Sequence, residues 1–137
     1  MAKIEFSGID DIQDQLRKRS EATTRAVPAM LKAGAAVVTA AQQEQARVMF
    51  KGDRSTGDLA ASIKAGSIKG DEIEKYIEVY PHGKDRHGVS NATKGFVQQY
   101  GRSNMLARPW MTAANEKCAD EVNAAMRQEW EAAHNGG

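Results

Sequence analysis

The residues best suited to chemistry gather between Pro81 and Gly95, in PHGKDRHGVSNATKG. His82 and His87 flank Asp85, and two imidazoles with a carboxylate are donors that metal centres use. Their spacing matches no metal-site signature, and Lys84, Arg86 and Lys94 make the surroundings basic, so a solvated loop accounts for them better than a metal. The same three cations suit a passing nucleic-acid backbone, where a few phosphate contacts give weak, salt-sensitive binding. No aromatic is interleaved with them, so base stacking is not indicated. Asp53, Ser55, Thr56 and Asp58 are hydrolytic residue types, but no histidine is placed to act as their base, and cap-and-turn chemistry explains them. Cys118 falls on an apolar helical stripe, the setting of a packing cysteine rather than a nucleophile. No glycine-rich phosphate loop follows a strand. Nothing positive supports an enzyme, a cofactor or a bound metal.

A second concentration of distinctive side chains is GFVQQYGRSNMLARPWMTAAN, Gly95 to Asn115. It holds Phe96, Tyr100-Gly101-Arg102 and Arg108-Pro109-Trp110. Gly101 marks a sharp turn after a short strand or helical turn, and the residue before Pro109 is driven to extended geometry. Two roles are open to these aromatics. They cap the core where the last helix docks, or they form a protein contact, since Trp, Tyr and Arg are over-represented at interface hot spots.

The elements that must position these groups are legible in outline. Ile4–Phe6 reads as a short strand and Ser7 as a helix N-cap with acids in the first turn. Ile9, Ile12 and Leu16, then Val27, Met30, Leu31, Gly34, Val37, Val38, Ala41, Val48 and Met49, recur at helical spacing. They predict one long helix or two over 9–50, kinked or restarted at Pro28. Ala33 to Ala41 would let another element approach closely. Lys51–Asp58 reads as a loop, and DLAASIKAGSIK is ambiguous between helical turn and strand. Glu72–Tyr80 alternates, with Ile73, Ile77 and Val79 on one side, and predicts a strand in a hairpin turned at KGDE. Residues 81–95 read as a long flexible loop, Pro109 as the first position of a final helix, and Met111, Ala114, Cys118, Val122, Ala125, Met126 and Trp130 as its buried face. Residues 132–137 read as a frayed end. The fold class predicted is α+β, with a long N-terminal and a C-terminal helix on a small antiparallel sheet.

The totals bound this picture. A chain of 137 residues is read as a single domain, 1–137, able to bury a core without staples. Its residues are 41% hydrophobic but only 6% aromatic, so the core should be thin and helix-rich. Nineteen basic residues against eighteen acidic ones leave a net charge of +1, which gives no global pull toward DNA or an acidic membrane. The distribution is uneven: Pro81–Arg108 carries +4 and Glu116–Glu131 carries −3, opposite surfaces that suit head-to-tail self-association as well as chance. A single cysteine, no apolar run of membrane-spanning length and no signal-peptide pattern predict a protein made and kept in a cytoplasm.

Four stretches, in this order, resemble a known family. FSGIDDIQDQL, STGDLAASI, GFVQQYG and ARPWMTAA are similar to the recurring motifs of the small tail-component proteins of bacteriophages with long non-contractile tails. The resemblance covers almost the whole chain. It implies a structural virion protein, not an enzyme: a neck or tail-completion component that forms a ring, commonly six-fold, at the head–tail junction and joins tail to head. The implied partners are other copies of the chain, head-completion or connector proteins, and tail-tube or tail-terminator proteins. DNA would pass through the lumen, with Lys84, Arg86 and Lys94 as a possible DNA-facing loop and no membrane involved. Assembly would take place in the bacterial host cytoplasm. Phe96, Tyr100, Gly101, Arg102, Arg108, Pro109 and Trp110 are the implied interaction residues. The sequence departs from the family pattern at Gln99, where an acid is frequent, and at Arg102, where a small hydroxyl residue is frequent. The alternatives are a tail terminator of the same particle and a small nucleic-acid-binding protein using the basic 81–108 segment.

Overall fold

The computed structural model describes residues 2–50, 57–71 and 74–135, and residues 2–12 by backbone alone. Helix α1 (Ala2–Met49) is one element of 48 residues, about 72 Å at 1.5 Å per residue. The expected strand at Ile4–Phe6 and the N-cap at Ser7 are therefore incorrect. A strand needs a partner for its backbone groups, whereas a helix satisfies them locally. Pro28 sits inside α1, which is not divided there. Proline supplies no N–H to the carbonyl of Thr24, but α1 is held on both sides of the defect, with Ala22, Ala26, Ala35 and Ala46 all buried.

What holds it is α4 (Trp110–Asn135), antiparallel along the second half of α1. At one end Thr23 Oγ1 lies 3.1 Å from His134 Nε2. At the other, Gln42 Nε2 donates to Asn115 Oδ1 at 3.2 Å and Lys117 Nζ to Gln45 Oε1 at 2.8 Å. The seam is built from small residues, as the alanine-rich sequence predicts. A side-chain carbon added at Gly34 would lie 3.2 Å from Met126 Cγ and Sδ and 3.5 Å from Val122 Cγ1. The bulkier Val27, Met30, Leu31, Val37 and Val38 flank the seam half-buried, and Val48, expected on the inner face, is half exposed. α4 continues through Asn135, past the point where fraying was expected, and His134 stacks on Trp130 at 3.9 Å. Before Ala22, α1 outruns this partner: every residue from Gln13 to Glu21 is exposed.

In sequence the small strands come between the two helices, and the β1–β4 pair packs on α1. Helix α2 (Asp58–Ser62) passes directly into β1 (Ile63–Ala65), so the ambiguous DLAASIKAGSIK is helical turn first and strand second. β1 pairs antiparallel with β4 (Val79–Pro81), Ile63 opposite Pro81 and Lys64 opposite Tyr80. Further out, β2 (Lys69–Gly70) pairs with β3 (Lys75–Tyr76), Lys69 opposite Tyr76. The expected single strand Glu72–Tyr80 is thus two short ones, with Glu72 and Ile73 outside the described residues. Ala65 and Lys69 are four positions apart while their partners Val79 and Tyr76 are three apart, so the first arm carries one extra residue and the ladder breaks. The turn predicted at KGDE falls where β2 leads to β3, with Glu72 outside the described residues. Gly70 has φ +105, and a side-chain carbon there would meet Glu74 O at 2.0 Å. Asp71 Oδ1 accepts the Glu74 N–H at 2.8 Å.

Helix α3 (Asn91–Tyr100) completes the fold. The core lies where all these elements converge. Ile63 and Trp110 are fully buried with Ala46 and Ala60, and Met49, Phe50, Val79 and Met111 pack around them. Phe50 meets the Trp110 ring edge-on, centroids 6.2 Å apart. The indole N–H donates to Gly95 O at 3.0 Å. Gly95 is required by space: a side-chain carbon there would lie 3.0 Å from Pro81 Cγ and 3.2 Å from Trp110 Cζ2. Truncating Trp110 to Ala should lower the unfolding free energy by about 3–5 kcal/mol. Urea titration followed by circular dichroism measures this, and an unchanged midpoint would remove Trp110 from the centre of the core.

Candidate functional site

Helix α3 carries the most conspicuous surface of the protein, and local chemistry fixes both its ends. The Ser90 hydroxyl accepts the Thr93 N–H at 3.3 Å as N-cap. At the other end Gly101, at φ +75, donates to Val97 O at 2.7 Å, and the chain folds back so tightly that a side-chain carbon there would lie 2.8 Å from Ala107 N and Met105 O. The sharp turn expected at Gly101 is present, and the segment expected to be a strand or a helical turn is a helix. The segment expected to be loop as far as Gly95 becomes helical at Asn91, because Ser90 supplies the cap.

The two faces of α3 do different work. Asn91, Gly95 and Gln99, at successive helical turns, are buried. Phe96 and Tyr100, also one turn apart, face outward: they are 41% and 74% exposed and stack with centroids 6.4 Å apart. Leu106, beyond the turn, is 89% exposed. The outward aromatics are flanked by exposed Arg102, which has no ion-pair partner among the described residues. Arg108 is exposed but pinned. Its guanidinium lies 4.7 Å from the Phe50 ring centroid and donates to Met49 O, clamping the end of α1. Pro109 is exposed and stands one position before α4, where its carbonyl accepts the first helical bond, from Ala113 at 3.0 Å. Trp110 presents no surface at all, which corrects its expected place among the interaction residues. Of the two roles its setting allowed, it fills the core.

Gln99 has a role that sequence reasoning missed. Its Oε1 accepts the backbone N–H groups of Met111 at 2.8 Å and Thr112 at 3.3 Å, while Nε2 donates to Thr112 Oγ1 at 2.6 Å. A side chain of α3 therefore caps the N-terminus of α4. The position is 7% exposed, and the side chain points inward to the start of α4. A carboxylate here would accept the same two N–H groups and meet the positive end of α4.

The loop between β4 and α3 is organised around Asp85. Its Oδ1 accepts the N–H groups of His87 and Val89, each at 2.9 Å, and its Oδ2 accepts Lys94 Nζ at 2.7 Å. The Lys94 ammonium, followed by these backbone donors, holds the Asp85 carboxyl down at about 2, against an ordinary value of 3.8. Arg86 grips Asp58 with two guanidinium bonds, at 3.0 and 2.7 Å. Of the three cations expected to face DNA, two are thus engaged by carboxylates, and Lys84 alone has no ion-pair partner among the described residues. Around the same hollow the β1–β4 pairing brings Lys64 and His82 beside Lys84. His82 stacks on Tyr80 at 4.0 Å and its Nε2 lies 3.1 Å from Lys64 O. His82, Asp85 and His87 do not form a metal-binding group, and no such cluster occurs among the described residues. Cys118 is buried, and desolvation pushes its thiol up, away from the reactive thiolate. Asp53, Ser55 and Thr56 lie outside the described residues.

An α+β scaffold that commits its polar side chains to internal caps and clamps, and turns an aromatic helix face outward, is that of a structural or binding protein. The chain belongs to the family described as "Bacteriophage HK97-gp10, putative tail-component", whose model matches residues 10–102. It is therefore a virion protein, a component of a bacteriophage tail. The matched span runs from α1 to the turn after α3 and stops before ARPWMTAA. No curated protein and no solved structure matches the chain. No helix among the described residues is long and apolar enough to cross a membrane.

Two measurements test this geometry. Replacing Gln99 with Ala should cost about 1–2 kcal/mol through loss of the α4 cap, whereas Gln99→Glu should be at least as stable as the parent at pH 7; a Glu variant as unstable as the Ala variant would contradict the capping role. The Asp85 contribution is present above its unfolded value near 3.8 and is lost as pH falls toward about 2. The stability difference between the parent and Asp85→Asn, measured from pH 5 to 2, should therefore shrink on acidification, and a constant difference would contradict the assignment.

Proposed function

We propose that this tail component is a neck or tail-completion protein that assembles into a ring, six-fold in the virion, at the head–tail junction and joins tail to head. The observation that carries the reading is the Phe96–Tyr100 pair. Two stacked aromatics stand exposed on a helix whose opposite face is fully used by the core. Isolated exposed apolar residues are ordinary, but an aromatic pair with exposed Leu106 and Arg102 beyond it in the chain has the composition of an interface hot spot. The uneven charge supports the same reading. Glu116, Asp120, Glu121 and Glu131 on α4 are exposed, as are Lys84, Arg102 and Arg108, so one chain offers unlike surfaces of the kind a head-to-tail ring requires. The partners are further copies of the chain and the head-completion and tail-tube or tail-terminator proteins on either side. The tail terminator remains the rival role within the particle.

The test is complementation of a phage lacking this gene with the Phe96→Ser/Tyr100→Ser double variant. Both positions are exposed, so the variant should fold with an unchanged melting temperature. It should leave heads and tails unjoined and lower the yield of infectious particles at least a hundredfold. Normal yield from the folded variant would show that this face makes no essential contact.

A further inference from the structure

The α1–α4 seam opens into a groove of about 680 Å³, lined by Ala36, Val37, Ala40, Val48, Ala114 and Cys118. Its floor is small and apolar because the seam is made of alanines, and its walls are the bulkier valines that the seam leaves uncovered. Ala36 and Ala40 are exposed and one helical turn apart. Glu44 and Glu121, both exposed, line it, one on each helix, together with Lys117, whose ammonium donates to Gln45 Oε1 at 2.8 Å, so the groove carries two acids and one base. The α3 surface has the converse shape and charge. Phe96 and Tyr100 project one turn apart from a convex helix face, and Arg102 follows two residues later.

We propose that the α1–α4 groove receives the Phe96–Tyr100 face of a second copy of this chain, with Arg102 of the incoming copy meeting Glu44 and Glu121. The inference rests on the ring reading and names the two surfaces the ring would join. Knob and groove share no residue, so each copy keeps one of each free, and the contact is heterologous: it propagates from copy to copy until rotation closes it. Charge complementarity selects a second copy over an arbitrary apolar partner. An aromatic pair with an adjacent arginine meets a small-residue floor of net charge −1, from Glu44 and Glu121 against Lys117, and the same chain supplies both. The buried aromatics provide most of the attraction, and the arginine fixes orientation and excludes the reversed arrangement.

Charge reversal tests the contact in particles assembled by complementation. Arg102→Glu, an exposed change checked for native circular dichroism, should lower particle yield at least tenfold. Adding Glu44→Arg and Glu121→Arg to the same chain should restore it to within threefold of the parent. Failure of the triple variant to recover would overturn the proposal, as would normal yield from Arg102→Glu alone. A second test needs no loss of function. In a Cys118→Ala background, Phe96→Cys with Ala40→Cys should give a ladder of disulfide-linked multimers from oxidised particles on a non-reducing gel. Monomers only would overturn the pairing. If the ladder is missing while the Phe96→Ser/Tyr100→Ser variant still blocks joining, the α3 face contacts a different virion protein, and the junction reading stands without this one.

Discussion

The fold depends on one side chain finding room. Trp110 opens α4, and its indole enters the core through the space left by Gly95, where any larger residue would meet both the indole and the Pro81 ring. Its N–H satisfies the Gly95 carbonyl inside that space. Around the ring stand the end of α1, α2, β1, β4 and α3, so a single aromatic fixes where five other elements meet. A tryptophan suits this place because it combines a large apolar body with one donor that can reach a buried acceptor. The same contact orients α3. Once Gly95 faces Trp110, Gln99 one turn later faces the first N–H groups of α4, and Phe96 and Tyr100 are turned outward.

A second constraint runs along α1 and α4. With few aromatics available, the chain brings its two long helices together on alanines and a glycine rather than on bulky side chains. That choice allows a close seam, in which Met126 and Val122 pack directly over Gly34 while Val27, Met30, Val37 and Val38 stand half-buried on its flanks. The result is a protein with a small fully buried core and much half-covered apolar surface. In a monomer this is a weakness. In a tail component it is surface available to other virion proteins. The polar groups follow the same logic. Asp85, Arg86, Lys94 and Gln99 are occupied in fixing the loop and the helix ends that present α3, whereas Lys84 and Arg102 have no ion-pair partner among the described residues.

Much of this was legible in the sequence. Helical spacing announced α1 and α4, the alanine run announced their close approach, and the alternation at Ile77 and Val79 gave the inward side of the hairpin. Four motifs in order pointed to the family. What was not legible came from interactions distant in the chain. The register break in the hairpin depends on one extra residue in its first arm, which no local pattern reveals. Arg86 and Lys94 looked like free cations because Asp58 lies 28 positions away from one and Asp85 is reached only when α3 forms. Gln99 looked only like a departure from the family pattern because its partners, two backbone N–H groups and the Thr112 hydroxyl, belong to another helix. The spacing Asn91, Gly95, Gln99 did hold a signal: a polar, a glycine and a polar residue at successive turns, opposite two aromatics, describe a helix that packs on its polar side and exposes its apolar one. Trp110 was read two ways, and only its burial chose between them.

The central claim is a joining role in the particle. The direct measurement is electron microscopy of lysates from the encoding phage with this gene interrupted. The account predicts heads, filled or empty, beside finished tails that remain unattached. Intact, infectious particles in normal number would contradict it.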